Sequence, residues 1–203
     1  MKLTLYFLFI LLILFSCKEK SFQTNNKLSL TEKHQEYLKK YYTEDKNVFL
    51  DSVLQSFNEL IKQNETNNSI YKYGKLSFYL DNNYYKQALE ELDNLYPSFF
   101  QIDHKLFKIA LKMKLNYVNT DKELNNLYQE NLINDFEYIE DKQAFILLHY
   151  NLYNKEQSLK ILNKYIINGE LSKMDIQRLE DIKILIDQLS PKEALFHHFY
   201  IDN

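Results

Sequence analysis

Residues that could perform catalysis are few in this sequence. Nucleophilic catalysis needs a serine, cysteine or lysine held beside a base, and a zinc centre needs histidine, cysteine or carboxylate ligands at defined spacing. The chain has one cysteine, Cys17, and only two glycines. It contains no His-Glu-x-x-His zinc motif, no glycine-rich phosphate loop and no Gly-x-Ser-x-Gly turn. The sequence therefore predicts no catalytic residues and no enzymatic activity.

Metal-binding side chains are equally sparse. Among five histidines, only His197 and His198 are adjacent. Neighbouring residues on a helix point about 100° apart, whereas side chains on one face are three or four residues apart. A histidine pair near the C-terminus of a helix is better explained by its interaction with the helix dipole. Acid runs such as Glu90-Glu91 are typical of a solvated helix face. We therefore predict no metal and no cofactor.

The first residues have the pattern of an export signal. Met1-Lys2 provides a positive start, residues 3–15 are almost wholly apolar, and the run ends at Ser16-Cys17. A transmembrane helix needs roughly 20 apolar residues to cross the bilayer core. A charged start, a short apolar core and a small residue at the break are typical of a secretory signal.

Leu14-Phe15-Ser16-Cys17 resembles the lipobox of bacterial lipoproteins. The resemblance implies diacylglyceryl transfer to the Cys17 sulfur, cleavage after Ser16 and acylation of the new amino terminus, typically with palmitate. Two or more acyl chains give lasting membrane attachment. The alternative is an ordinary free or buried thiol. The predicted organisation is a signal peptide over 1–16, a lipidated cysteine and flexible tether over 17–28, and a helical domain over 29–203.

The residues after Cys17 bear on the location. Lys18 stands where some bacteria place an aspartate that retains a lipoprotein in the inner membrane. Lys18-Glu19 partly resembles the surface-export signal of some bacterial lipoproteins. We therefore expect a cell-envelope protein attached to the outer membrane through lipid on Cys17, with the leaflet left open.

Composition excludes one class of partner and favours one class of fold. The net charge is −3, and Arg178 is the single arginine. Nucleic-acid binding usually needs a basic face that displaces counterions, so we expect no nucleic-acid partner. Sheet proteins need turn residues at every hairpin. Two glycines and two prolines in 203 residues therefore favour long helices joined by short connections.

Apolar residues follow helical spacing between local start signals. A serine, threonine or asparagine cap satisfies the free amides of a first helical turn, and an acid three residues later completes a capping box. The signals found are Ser29 with Glu32, Thr120 with Glu123, Ser172 with Asp175, Ser190-Pro191 with Glu193, and single caps at Asn83 and Asn154. The predicted helices are 31–42, 46–63, 68–81, 84–96, 103–117, 121–133, 138–153, 155–168, 172–189 and 191–200.

These ten segments repeat in pairs at an interval of 35 residues. Single helical hairpins cannot bury their apolar stripes, whereas stacked hairpins bury them against their neighbours. The sequence therefore predicts an all-α fold, an α-solenoid of about five antiparallel helix hairpins, with an ordinary helical bundle as the alternative. The series are Leu54, Leu89, Leu124, Leu159, Ala194; Phe57, Leu92, Leu127, Leu162, His197; and Tyr41, Leu76, Leu111, Ile146, Asp181.

The segment from Leu76 to Leu92 resembles the tetratricopeptide repeat, a helix hairpin of roughly 34 residues. Leu76 and Tyr79 match its large positions, Tyr85 its aromatic position, and Ala88 the small residue where the two helices approach closely. A weaker copy has Ser158 at the small position, and a degenerate copy has Glu123 there.

In the tetratricopeptide family the first helix of each pair lines a concave groove. The resemblance implies a peptide-contacting surface, and tyrosine is favoured at binding surfaces because it gives large contact area at small entropic cost. The positions that match are Tyr73, Ser77, Leu80 and Asp81, with Tyr150 and Asn151 in the later copy.

Together these features favour a membrane-anchored scaffold whose helical groove binds a protein or peptide. A repeat motif of this kind indicates fold and says little about function. Two alternatives stay open: a protective or inhibitory lipoprotein that blocks one toxin or enzyme, and an accessory subunit of a nutrient-uptake system.

Overall fold

The computed structural model describes residues 28–64, 68–95 and 101–201, and these residues form helices without any strand. The predicted signal peptide and Cys17 lie outside the described residues. Each of the ten helices corresponds to one predicted from the sequence, so the all-α class is confirmed. In chain order they are α1 (Leu30–Thr43), α2 (Lys46–Gln63), α3 (Asn68–Asp81), α4 (Tyr85–Asn94), α5 (Gln101–Lys114), α6 (Thr120–Asn131), α7 (Ile139–Leu152), α8 (Lys155–Asn168), α9 (Lys173–Gln188) and α10 (Pro191–His198).

Four predicted helix starts are confirmed. The Ser29 N–H donates to the Glu32 carboxylate at 2.7 Å, and the side chain of Ser29 accepts from the Glu32 N–H. Ser172 with Asp175 and Ser190 with Glu193 repeat this exchange. Asn154 caps α8 by accepting from the Gln157 N–H at 3.0 Å. These caps depend on residues three apart, which is why they can be recognised in the sequence.

Two predicted caps are wrong. Asn83 does not cap α4; it sits in the turn before it with φ 61°, and Tyr84 precedes the helix. Thr120 lies inside α6, which is preceded by Asn119 at φ 70° without a side-chain cap. Asparagine tolerates left-handed backbone because its short polar side chain bonds locally. These asparagines therefore form the turns. Glu123 does not take part in a cap, and its carboxylate binds Lys112 on the neighbouring helix.

Helix α5 begins two residues before the predicted start because another helix caps it. Asp141, in the first turn of α7, accepts from the backbone N–H groups of Ile102 and Asp103 at 3.0 and 3.1 Å. The carboxylate thus satisfies amides that have no partner within α5. At its other end α5 stops at Lys114, since Asn116 adopts φ 57°.

The recurring apolar positions form the core. Leu89, Leu124 and Ala194 are buried, while Leu54 and Leu159 are half-buried and pack against the same cluster. At the last step of the third series Asp181 is exposed and Ile182 is buried instead. The interval of 35 residues therefore marks the positions where helices pack. The buried members of the other two series are Phe57, Leu92, Leu127, Leu162, Tyr41, Leu76, Leu111 and Ile146.

Helices pack in chain order, and α7 is the most enclosed of them. Every helix contacts the next one along the chain, and α5 contacts α7, which contacts α9. Helix α7 also contacts α10, and its residues 143–150 are all buried. Between α2 and α3 the approach is close, because a Cβ on Gly74 would lie 3.3 Å from Cε1 of Phe57. Among the described residues, no helix has the length and apolar character needed to cross a membrane.

Candidate interaction surfaces

One face of α3 carries three of the predicted groove residues. Tyr73, Ser77 and Asp81 are four residues apart and all exposed, so they form a stripe along the helix. Leu80, three residues after Ser77, borders this stripe but is buried in the core. The stripe belongs to the hairpin α3–α4, where the resemblance to a tetratricopeptide repeat is clearest. It gives an aromatic ring, a hydroxyl and a carboxylate to solvent on one helix face.

The predicted groove residues of α7 contact the chain itself. The Tyr150 ring is buried, and its hydroxyl donates to the Leu189 carbonyl at 2.9 Å. The Asn151 side-chain amide donates to the carbonyls of Leu147 and Pro191 at 2.9 and 3.2 Å. Both side chains therefore hold the connection between α9 and α10 against the end of α7.

Helix α10 covers the side of α5 and α7 that faces away from α6 and α8. It contacts α7 and α9. The ring of Phe199, just beyond its end, stacks on Phe107 of α5 with 4.6 Å between centroids and 1° between planes. His198 lies 3.4 Å from the Asp103 carboxylate, whereas His197 is exposed, so the two histidines diverge. The last helix and the residues that follow it therefore pack against α5 and α7.

Two buried histidine–serine pairs occur, and each joins the two helices of one hairpin. His34 of α1 lies 2.7 Å from the Ser56 hydroxyl of α2, and Ser56 donates its own hydrogen to the Val53 carbonyl. Ser56 therefore accepts from His34 Nδ1–H. Burial lowers the pKa of His34 to about 4. A neutral imidazole that donates through Nδ1 is thus the stable form in the folded chain.

The second pair repeats this chemistry between α7 and α8. His149 Nδ1 lies 2.8 Å from the Ser158 hydroxyl, which donates to the Asn154 carbonyl. The imidazole stacks on Tyr153 with 4.6 Å between centroids, and burial lowers the pKa of His149. Sequence reasoning missed both pairs. For His149 the available signal was its place within an apolar stretch, which marks burial without naming the partner, whereas His34 lies between Lys33 and Gln35 and has no such signal.

A cavity of about 250 Å³ opens between the start of α5 and the connection from α6 to α7. Its lining includes Asn131, Asp135, Glu137, Tyr138 and the buried carboxylate of Asp141. Burial raises the pKa of Asp141, while the two bonds from the Asp103 and Ile102 amides act in the opposite direction. Because Asp141 already caps α5, the cavity is part of a structural junction.

Within residues 28–64, 68–95 and 101–201, no group of three or more histidine, cysteine, aspartate or glutamate side chains is arranged to hold a metal ion. No family model matches the chain, and no curated protein or solved structure matches it.

Proposed function

We propose that this chain is a lipid-anchored envelope protein that binds another protein, or an extended peptide, through its helical array. The anchor is the lipidated Cys17, and an outer-membrane location follows from the residues after it. This part of the proposal is supported by the Leu14-Phe15-Ser16-Cys17 motif and the short apolar run before it. It places a helical domain at a membrane surface with a partner in the same compartment.

We further propose that the array is a tetratricopeptide-like solenoid of about five antiparallel hairpins. Support comes from burial at the interval of 35 residues and from packing of each helix on the next. The contacts α5–α7 and α7–α9 join the first helices of successive pairs, as stacking of hairpins requires. The fifth pair departs from a regular stack, since α10 turns back onto α7.

The observation that carries the binding proposal is the exposed stripe of Tyr73, Ser77 and Asp81 on α3. Tyr73 is 46% exposed, and a rigid aromatic ring beside hydrogen-bonding groups is typical of binding surfaces. On α7 the equivalent positions, Gln143, Leu147 and Asn151, are covered by α9 and α10, so we place the partner contact in the N-terminal half. The other three predicted groove residues then stabilise the fold and do not contact the partner; they are Leu80, Tyr150 and Asn151.

Site-specific photo-cross-linking tests this proposal. A photoreactive phenylalanine analogue replaces Tyr73 in the lipidated full chain in its own cells, and the matched control replaces Tyr117. Tyr117 is 49% exposed and lies in the connection between α5 and α6. We expect position 73 to give one protein adduct that position 117 does not give. Equal adduct patterns at both positions, or none at position 73, would contradict binding at the stripe.

A second measurement tests the anchor independently. Intact mass spectrometry of the protein extracted from membranes should show a chain beginning at Cys17 with added acyl mass. Cys17→Ser should retain the signal peptide and lose the added mass. An unmodified thiol in the native protein would contradict the anchor while leaving the cross-linking result standing.

A further inference from the structure

The connections between helices alternate between two edges of the array. Helices α5 and α6 run antiparallel, because Lys105 pairs with Glu130 at one end and Lys112 with Glu123 at the other. The starts of α7 and α9 meet at the first of these ends, where Arg178 binds Glu140 at 2.6 Å. Leu28, two residues before α1, lies on the corresponding edge of the first hairpin, since the other end of α1 meets the end of α3 through the bond from Tyr41 to Asn82.

We call the edge that holds the N-terminus of α1 and the connections α6–α7 and α8–α9 the anchor edge. The other edge, the turn edge, holds the connections 44–45, 82–84, 115–119, 153–154 and 189–190.

Exposed apolar side chains differ in kind between these edges. Most of the exposed long aliphatic side chains lie at the anchor edge, where Tyr200 is also exposed, whereas the turn edge has mainly tyrosines and valines, with Ile184 in the turn-side half of α9. Ile133 is 96% exposed at the tip of the α6–α7 connection, and Ile167 and Met174 are 79% and 65% exposed on either side of the α8–α9 connection. The aliphatic set of the anchor edge is Leu28, Ile70, Leu132, Ile133, Ile167 and Met174, and the set of the turn edge is Tyr42, Val48, Tyr117, Val118 and Tyr153.

We infer that the anchor edge rests against the lipid bilayer, with Ile133 and the neighbouring aliphatic side chains inserted among the lipid headgroups. The inference depends on the proposed lipid at Cys17. Residues 18–27 separate that cysteine from Leu28, and an extended chain spans at most about 3.3–3.6 Å per residue. The tether therefore keeps the anchor edge within roughly 40 Å of the bilayer, which raises the effective concentration of lipid at these side chains.

Charge on the anchor edge specifies the kind of bilayer surface. In residues 132–138 and 169–174 the exposed carboxylates of Asp135, Glu137 and Glu170 outnumber the exposed ammonium of Lys173. These carboxylates repel anionic headgroups, so the contact is apolar and the matching surface is electrically neutral. Because no ion pair with lipid is involved, added salt does not release it.

The chain has no tryptophan, so a single introduced indole reports on one position. Ile133→Trp probes the anchor edge, and Val118→Trp, at a site 82% exposed on the turn edge, is the matched control. Each lipidated full chain is reconstituted into phosphatidylcholine vesicles whose acyl chains are brominated. We expect Ile133→Trp to emit at shorter wavelength and to be quenched at least threefold more than Val118→Trp. The difference should persist in 1 M NaCl and shrink when a third of the lipid is phosphatidylglycerol.

Equal quenching at the two positions, or none at position 133, overturns the inference. A blue shift of Ile133→Trp that rises with protein concentration without vesicles overturns it in favour of contact with a second copy. The mass of each sample shows whether the anchor itself has failed. Acylated Cys17 with an unquenched indole rejects the membrane contact alone. An unmodified Cys17 rejects both the anchor and the membrane contact. Circular dichroism of each variant confirms that the helical fold is kept, as expected for substitution at such exposed sites.

Discussion

The hairpins α3–α4 and α5–α6 have opposite kinds of residue at equivalent positions, 35 residues apart. In α3–α4 the residue is Ala88, which has no exposed surface. In α5–α6, 35 residues later, it is Glu123, whose partly exposed carboxylate accepts two hydrogen bonds from the Lys112 ammonium at 2.9 and 2.7 Å. A small residue allows direct contact between backbones, whereas a long one requires a polar partner on the facing helix.

The difference shows which part of the repeat pattern the fold depends on. Leu92 and Leu127, four residues beyond the two positions, are both buried. The hairpins therefore share their apolar contacts, although they differ at the small position. Ser158 of α8 is an intermediate case, since it is small and fully buried but also holds His149 through its hydroxyl.

The largest expected effect is that of placing the glutamate of the second hairpin into the first. Ala88→Glu puts a carboxylate into a site without free volume, and we expect a loss of at least about 3 kcal/mol in the free energy of unfolding. Gln87→Glu, at the exposed neighbouring position, is the control and should change stability by less than about 0.5 kcal/mol. Urea unfolding followed by circular dichroism measures both. A mild effect at position 88 would mean that the two hairpins are equally open there.

Truncation of the leucine at the equivalent position of each hairpin tests whether both hairpins belong to one core. Leu92→Ala and Leu127→Ala each remove a buried side chain, and each should cost roughly 2–5 kcal/mol. Similar losses in urea unfolding would support a continuous core. A loss below about 0.5 kcal/mol, the range of surface sites, at Leu127 alone would show that α5–α6 is held by its polar contacts.

Removal of the serine hydroxyl tests the intermediate hairpin. Ser158→Ala keeps a small residue but leaves the buried Nδ1–H of His149 without its acceptor, which should cost about 1–3 kcal/mol. Ser77→Ala on the exposed face of α3 is the control and should be near neutral. If both substitutions have the same small effect, Ser158 contributes through its size alone, as Ala88 does.

The buried imidazoles should make stability fall with acidification. Burial lowers the pKa of His34 to about 4, and it also lowers the pKa of His149. An unfolded chain, with histidine pKa values near 6.5, therefore binds more protons than the folded chain below that pH. Stability should be full above about pH 6.5 and decline as the pH falls toward 4.

Urea unfolding at pH 7 and pH 5 measures this decline. His34→Gln combined with His149→Gln, in which the amide still donates to serine, should flatten the profile over this interval. An unchanged slope in the double variant would assign the pH dependence to other groups.

Signals confined to a few residues were sufficient to predict the helices. Serine caps act over three residues, and apolar stripes repeat every turn, so the number and approximate bounds of the helices followed from the sequence. The burial of Leu92 and Leu127 followed from the interval of 35 residues in the same way.

Contacts between helices distant in sequence were not predictable. Asp141 caps α5 across 38 or 39 residues, and no local pattern marks that role. Similarly, Tyr150 and Asn151 were assigned to a groove by position in the repeat, and their contacts with the α9–α10 connection depend on the way α10 turns back. The sequence did contain a warning, because the apolar series fails at Asp181 and His197, in the pair where the packing departs from the others.

The smallest expected effect is that of giving the second hairpin the small residue of the first. Glu123→Ala removes an ion pair whose lysine and glutamate side chains are 22% and 38% exposed, and pairs near the surface contribute about 0.2–1 kcal/mol. Alanine also favours helix slightly more than glutamate does, so the net change should be below about 1 kcal/mol. A double-mutant cycle with Lys112→Ala isolates the pair. A coupling above about 2 kcal/mol would mean that the ion pair, rather than the buried leucines, fixes the distance between α5 and α6, and that the two hairpins are held together by different forces.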